Sequence, residues 1–196
     1  MCGRYFVDQP MAEELYKNFQ ITMEDSIPEA QDIHPSEKAV VLVMTPSGLG
    51  IQKMQWGYPG FEKNQLIFNA RSEGVMEKRM FRDSIRSRRL LVPSRGFYEW
   101  DGQKNKVTFQ REDGNLLLMA GCWQQFGTEQ RFVILTTEAN ESVLPVHHRM
   151  PLILEEKDAR TWLSDGEQTE FLLHKVPGAL RKQSDYEQLA FPFFIS

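Results

Sequence analysis

Cys2 opens the chemistry of this chain, because removal of the initiator methionine leaves a free α-amine beside its thiol. The amine of such a 1,2-aminothiol has an ordinary pKa of about 7.7–8.0, so part of it is unprotonated at neutral pH and can attack an aldehyde. The adjacent thiolate can then close the imine to a five-membered thiazolidine ring. No internal cysteine can do this. The bland alternative is that position two simply holds a small buried residue.

Three further segments bring reactive groups to strand ends or turns, where scaffolds usually display them. In Asn69-Ala70-Arg71-Ser72-Glu73, Asn69 can donate and accept hydrogen bonds, and the planar fork of Arg71 matches a phosphate. Gly96-Phe97-Tyr98-Glu99-Trp100 sets a carboxylate among three aromatics. Desolvation there would raise its pKa and suit it to take a proton from the Cys2 ammonium and return it to a departing oxygen. In His147-His148-Arg149-Met150-Pro151, a histidine could protonate a sugar ring oxygen and hold open the aldehyde form. Singly, each has another reading. Asn69 could cap a helix starting near Ala70, Glu99 could face solvent, and either histidine could be a hydrogen-bonded surface residue. Together the reagents match one reaction.

The composition bounds the setting. At 196 residues, 41% hydrophobic and 26% charged, the chain suits a single globular domain, residues 1–196, with an adequate core. There is no apolar run long enough to span a membrane, and no basic segment followed by an apolar stretch at the N-terminus, so a cytoplasmic, intracellular protein without membrane association is expected. Cys2 and Cys122 lie far apart with no Cys-x-x-Cys spacing, which argues against a disulfide framework and a zinc knuckle. A metal site built from Cys2, Cys122, His147 and His148 lacks ligand spacing, and neither metal nor cofactor is expected. The formal charge of −4 argues against general polyanion binding, yet residues 78–91 hold six basic side chains against one acid. That run is either a solvated helix face or a phosphate track.

The elements that must position these groups follow from periodicity. Met11, Leu15, Tyr16 and Phe19 predict an amphipathic helix over 9–20, and Phe81 and Ile85 predict another over 77–87 with a cationic outer face. A loop is expected between Pro28 and Pro35, then a hairpin of 39–45 with Gly50–Trp56. Strands are predicted at Arg89–Pro93, Phe97–Trp100, Lys106–Arg111, Leu116–Trp123, 131–137 and 151–154, followed by helices over Glu156–Leu163 and Gly166–His174. The fold class is α+β, a mostly antiparallel β core with peripheral helices.

In this order, the motifs resemble the SOS-response-associated peptidase (SRAP) family of abasic-site-processing proteins. They are Cys2-Gly3-Arg4, Trp56-Gly57, Asn69-Ala70-Arg71-Ser72-Glu73, Phe81-Arg82, Val92-Pro93, Gly96-Phe97-Tyr98-Glu99-Trp100, Ala120-Gly121-x-Trp123, Thr136-Thr137-x-Ala139-Asn140 and His147-x-Arg149-Met150-Pro151. The resemblance is strongest over 2–154, leaving 155–196 as a C-terminal helical and tail segment. It implies a barrel-like core and a sensor that captures the ring-opened sugar of abasic sites in single-stranded DNA as a thiazolidine crosslink, protecting the strand during the DNA damage response. In that scheme Cys2 is the nucleophile, Asn69 sits near the aminothiol, Glu99 is the acid and base, and His147 assists ring opening. Arg4, Arg71 and Arg149 would contact phosphates, with Thr136, Arg82 and Arg86 also on the DNA and Trp56 and Trp100 stacking on bases. The resemblance further implies a monomer with possible lyase activity.

Two rivals remain. One is a cysteine-dependent (auto)peptidase, a hydrolase with Cys2 as nucleophile and His147 as base. Only Met1 precedes Cys2, so no propeptide is expected and ordinary methionine removal suffices. The other is a module that binds single-stranded or damaged DNA without a covalent bond. Cys122, the 32–35 loop and Tyr58-Pro59-Gly60 depart from the family's commoner pattern, and Cys122 reads as core.

Overall fold

Residues 2–21 and 30–184 of the computed structural model are described here. In chain order they form β1 (Tyr5–Asp8), α1 (Pro10–Phe19), β2 (Ala30–Ile33), β3 (Lys38–Thr45), β4 (Gly48–Trp56), the two-residue strands β5 (Tyr58–Pro59) and β6 (Leu66–Ile67), and β7 (Asn69–Arg71). A 3-10 turn at Ser72–Gly74 leads to α2 (Arg79–Ser87), β8 (Arg89–Ser94), β9 (Gly96–Trp100), β10 (Lys106–Arg111), β11 (Leu117–Phe126) and β12 (Glu129–Glu138). The chain continues with β13 (Arg149–Pro151), α3 (Glu156–Ser164), α4 (Thr169–Leu173) and β14 (Leu180–Ser184).

Five strands close a barrel in the order β11-β8-β3-β4-β12, with β12 pairing back onto β11. Its pairings are antiparallel except between β4 and β12. A second, open sheet runs β14-β10-β9-β1-β2. The α+β, largely antiparallel, barrel-like expectation therefore holds. Closure explains the near-continuous apolar runs Leu90-Leu91-Val92 and Phe132-Val133-Ile134-Leu135, all fully buried. A strand covered on both faces has no solvent side to fill with polar residues. Helix α2 lays Phe81 and Ile85 against this wall, and α3 lays down Ala159, Trp162 and Leu163, the Trp162 indole N–H donating to the Leu90 carbonyl at 3.0 Å.

Three segments differ from the sequence expectation. The 30–33 part of the expected loop is β2, pairing with β1 from Tyr5↔Ile33 to Asp8↔Ala30; Pro28 lies outside the described residues. The C-terminal segment adds β14, which pairs with β10, and the second helix shortens to α4. The strand expected at 151–154 is β13, with Ile153 making only an isolated bridge to Met119.

Two features fix where the site forms. Gly57 follows β4 with φ +112°, and a Cβ there would lie 2.5 Å from Leu66, so only glycine permits the turn that throws the chain out into β5 and β6. The chain returns as β7, which takes over from β4 along the same edge of β12: Phe132↔Trp56 is followed by Ile134↔Asn69 and Thr136↔Arg71. Meanwhile β13 pairs with the last residues of β12, from Thr136↔Pro151 to Glu138↔Arg149. The C-terminal end of β12 is thus bracketed by β7 and β13. Among the described residues no helix is long and apolar enough to cross a membrane.

Candidate functional site

Strand β1 carries the N-terminal residues to this end of the barrel. Its register with β9 is Tyr5↔Phe97, and the Tyr98 N–H donates to the Arg4 carbonyl at 3.0 Å, so the register continued by one step sets Gly3 opposite Glu99. An ion-pair cluster around the buried Arg95 anchors β1 behind it. The Arg95 guanidinium bonds both Asp8 oxygens at 2.8 and 3.1 Å, Glu14 at 2.5 Å and the Gly114 carbonyl at 2.6 Å. Cys2 is fully buried, and its thiol faces the Arg4 carbonyl at 3.7 Å. Burial, reinforced by the Glu99 carboxylate, pushes the thiol well above its ordinary pKa.

Asn69 reaches the same residue from β7, its Nδ2 donating to the Cys2 carbonyl at 2.8 Å. Its Oδ1 is buried with no partner among the described residues. The helix-cap alternative fails, because Asn69 begins a strand. Glu99 is 3% exposed on the inward face of β9. Burial raises its carboxyl above the ordinary value, with the N-terminal ammonium and, less, the His148 charge pulling the other way. The solvent-facing alternative fails with it.

His147 and His148 end a tight turn that Asn140 locks: its Oδ1 accepts from the Ser142 N–H and hydroxyl and the Val143 N–H, while its Nδ2 donates to the carbonyls of Pro177 and Gly178. The two imidazoles stack at 4.5 Å. His147 is half-buried, and its Nδ1 accepts the Arg149 N–H at 2.9 Å. Because that donor is obligate, the neutral ring carries its proton on Nε2. Burial lowers the His147 pKa, with the nearby Arg149 charge acting in the same direction. His148 is exposed.

Two grooves meet at Arg71, whose side chain is exposed. One, of about 550 Å³, is walled by Asn69, Arg71, Lys78 and Arg79 over an apolar floor that includes Ile67 and Phe81. The other, of about 450 Å³, lies between Arg71, His148, Leu144 and Glu138. Arg82 and Arg86 continue the cationic face along α2, exposed, with Arg82 3.5 Å from Asp83. Arg4 lies 5.3 Å over the Trp100 ring and 3.6 Å from Asp32, and Trp100 is 38% exposed. Within the basic run, Arg88 and Arg89 point elsewhere, donating to the carbonyls of Trp123 and Trp162.

Three of the residues expected to contact DNA are enclosed. Trp56 is fully buried, packed against Tyr5, Phe68 and Phe132, so it offers no face to a base. Its indole N–H instead donates to the Phe68 carbonyl at 2.8 Å and so holds the residue before Asn69. Thr136 is fully buried, and its carbonyl accepts from Arg149 at 2.5 Å. Arg149 is 6% exposed, with its guanidinium forked onto Glu73 at 2.7 and 2.9 Å. Sequence reasoning gave no role to Glu73, and its only signal was its place in the Asn69–Glu73 motif. Lys78 and Arg79 were visible only as part of a basic run.

Comparison with known proteins places these features in context. Residues 1–188 match the family described as SOS response associated peptidase (SRAP). The chain is 28% identical over 183 residues to "Abasic site processing protein YoqW" of Bacillus subtilis, covering 84% of this chain and 80% of that protein. It is likewise 28% identical over 178 residues to "Abasic site processing protein YedK" of Escherichia coli, covering 83% and 79%. A crystal structure of a Bordetella bronchiseptica protein superposes with a TM-score of 0.79 at 22% identity, over 93% of this chain and 99% of that one, a likeness of fold.

Proposed function

Because this chain belongs to the SOS response associated peptidase (SRAP) family, we propose that it processes abasic sites, as its relatives are named for doing, and that it does so by covalent capture through Cys2 once Met1 is removed. The observation that carries this reading is the convergence on one residue: Asn69 bonded to the Cys2 carbonyl, and the Glu99 charge felt by the Cys2 thiol.

The chemistry runs as follows. His147, neutral with its proton on Nε2, donates a hydrogen bond to the ring oxygen of the deoxyribose, which takes up the C1′ hydroxyl proton as the ring opens to the aldehyde. The Cys2 ammonium loses a proton to Glu99, the free amine adds to C1′, and Glu99 returns the proton to the departing hydroxyl, which leaves as water. The thiol then adds across the C=N bond, its proton going to nitrogen. Net, aldehyde plus aminothiol gives thiazolidine plus water. A raised Glu99 pKa suits a group that must both take and give a proton near neutrality. An imine that closes slowly is exposed to β-elimination of the 3′ phosphate, which is the lyase activity the family resemblance suggests.

The strand lies along Arg71, Lys78 and Arg79, with Arg82 and Arg86 beyond, and the Arg4–Trp100 pair supplies a cation and an aromatic face for neighbouring nucleotides. A single strand suits this arrangement, because the target sugar must enter a site where Cys2 is buried. The protein acts as an intracellular monomer without a cofactor. A peptidase reading fits less well, since burial and Glu99 raise the Cys2 thiol pKa, whereas a cysteine–histidine pair would lower it.

Intact-mass measurement after incubation with an abasic oligonucleotide tests the proposal. The expected species has lost Met1 and gained the strand minus one water, and it is absent in Cys2→Ser. Strand binding that is lost at high salt, with no adduct surviving denaturation, would sink covalent capture in favour of the non-covalent module.

A further inference from the structure

The second residue after His147 is a buried arginine whose counter-ion comes from the 3-10 turn after β7. Arg149 opens β13; its N–H is bonded to His147 Nδ1 at 2.9 Å, and its own carbonyl stands 3.1 Å from the same nitrogen. These two groups ask opposite things of the ring. The N–H needs Nδ1 as an acceptor and so selects the Nε2–H tautomer, whereas the carbonyl would be satisfied only by Nδ1–H. Which contact governs depends on where the short β13 backbone is held; main-chain bonds flank it, Ala139 N–H on the His148 carbonyl at 3.1 Å and Leu152 N–H on the Leu135 carbonyl at 2.8 Å, but none of them touches Arg149 itself.

The Arg149 side chain adds an anchor at the residue that bonds the ring. Its guanidinium is gripped by both Glu73 oxygens, at 2.7 and 2.9 Å, and by the Thr136 carbonyl at 2.5 Å, which ties β13 to β12 and to the turn after β7. The backbone of Glu138, the residue opposite Arg149 in the β12–β13 register, also favours the charged Glu73 carboxylate. Burial raises the Glu73 pKa, but the Arg149 hydrogen bonds and charge outweigh it, and the carboxyl stays below its ordinary value. The clamp is therefore ionised under any neutral condition.

We propose that Glu73 is a positioning residue: through Arg149 it fixes the His147 ring as the Nε2–H tautomer, presenting a donor toward the bound sugar. This rests on the role of His147 proposed above, but the geometry it predicts exists without DNA. The groups that bear on the imidazole include the N-terminal ammonium charge, His148, stacked on it, and the Arg149 charge; Arg71 and Glu99 bear on His148. None of these substitutes for the anchor, because none holds the β13 backbone.

The test is ¹⁵N-histidine NMR of the whole protein without DNA, above the His147 titration, together with crosslinking rates across pH. In the wild type His147 Nδ1 should show the signature of an unprotonated acceptor. In Glu73→Gln, which leaves the Arg149 charge without an anion, the two ring nitrogens should move toward averaged values and crosslinking should slow by about tenfold, with a shifted pH profile. Glu73→Asp should restore the tautomer in part. If Glu73→Gln fails to fold, Arg149→Lys removes the fork while keeping a charge and should give the same averaging. An unchanged tautomer in either folded variant overturns the proposal. A wild type with the expected tautomer but no crosslink would instead overturn the covalent reading and leave the clamp standing.

Discussion

Glu99→Gln should make the protein more stable and less active, and the two effects separate the physics of burial from that of catalysis. Glu99 is 3% exposed on β9, and burial raises its carboxyl above its ordinary value. A carboxyl that holds its proton more tightly in the folded state than in the unfolded chain adds nothing unfavourable at acid pH. As pH rises through the folded pKa, the folded state must ionise the group in a poor environment, and stability is lost. Each unit of upward shift costs about 1.4 kcal/mol once both states are ionised. Glutamine has the same shape and escapes that cost. For a domain of this size each kcal/mol recovered raises Tm by roughly 2–4 °C. Melting the variant and the wild type side by side from acid to neutral pH should show a gap that is largest at neutral pH and closes below the ordinary carboxylate range. Over the same series the crosslinking rate of the variant should fall by about 10²–10⁴, the usual worth of a positioned acid or base. A variant that is less stable than the wild type at neutral pH, or a gap that widens toward acid, refutes the burial argument. A normal crosslinking rate refutes the role of Glu99 as proton carrier.

Removing the Asn69 amide with Asn69→Ala deletes the 2.8 Å bond to the Cys2 carbonyl, worth about 1 kcal/mol, so single-turnover crosslinking should slow about fivefold while strand affinity, read by fluorescence anisotropy, holds. The two tryptophans should behave oppositely. Trp56→Ala empties a fully buried site and should cost about 3–5 kcal/mol in denaturant unfolding, whereas Trp100→Ala should leave unfolding within about 0.5 kcal/mol and weaken strand binding by about 1–3 kcal/mol. Arg71→Ala, at the junction of the two grooves, should reduce the slope of log K against log salt by about 0.7, as expected for one lost contact to a single strand.

What could be read from the sequence divides along a physical line. Side-chain chemistry and local period are carried by nearby residues, so Cys2, Asn69, Glu99 and His147 could be picked out as candidates, and the β3–β4 hairpin and helix α2 were legible. Their surroundings are set by contacts between distant segments. Glu73 and Arg149 are 76 positions apart and meet only because β7 and β13 bracket the same end of β12. The same closure buries Trp56, which by residue type and its neighbour Gly57 could equally have stood at a rim. Strands β2 (AQDI) and β14 (LRKQS) are sheet edges with too few apolar residues to show alternation, so they were invisible as strands. One functional consequence follows from this division. Counting arginines overstates the cationic track, because Arg88, Arg89, Arg95 and Arg149 spend their guanidinium groups on internal carbonyls and carboxylates. What remains exposed, Arg71, Lys78, Arg79, Arg82 and Arg86, is a short stripe on an otherwise acidic protein. Such a stripe gives a modest, salt-sensitive grip, which is what the proposed covalent capture would require, since non-covalent affinity need then only be enough to bring the sugar to Cys2.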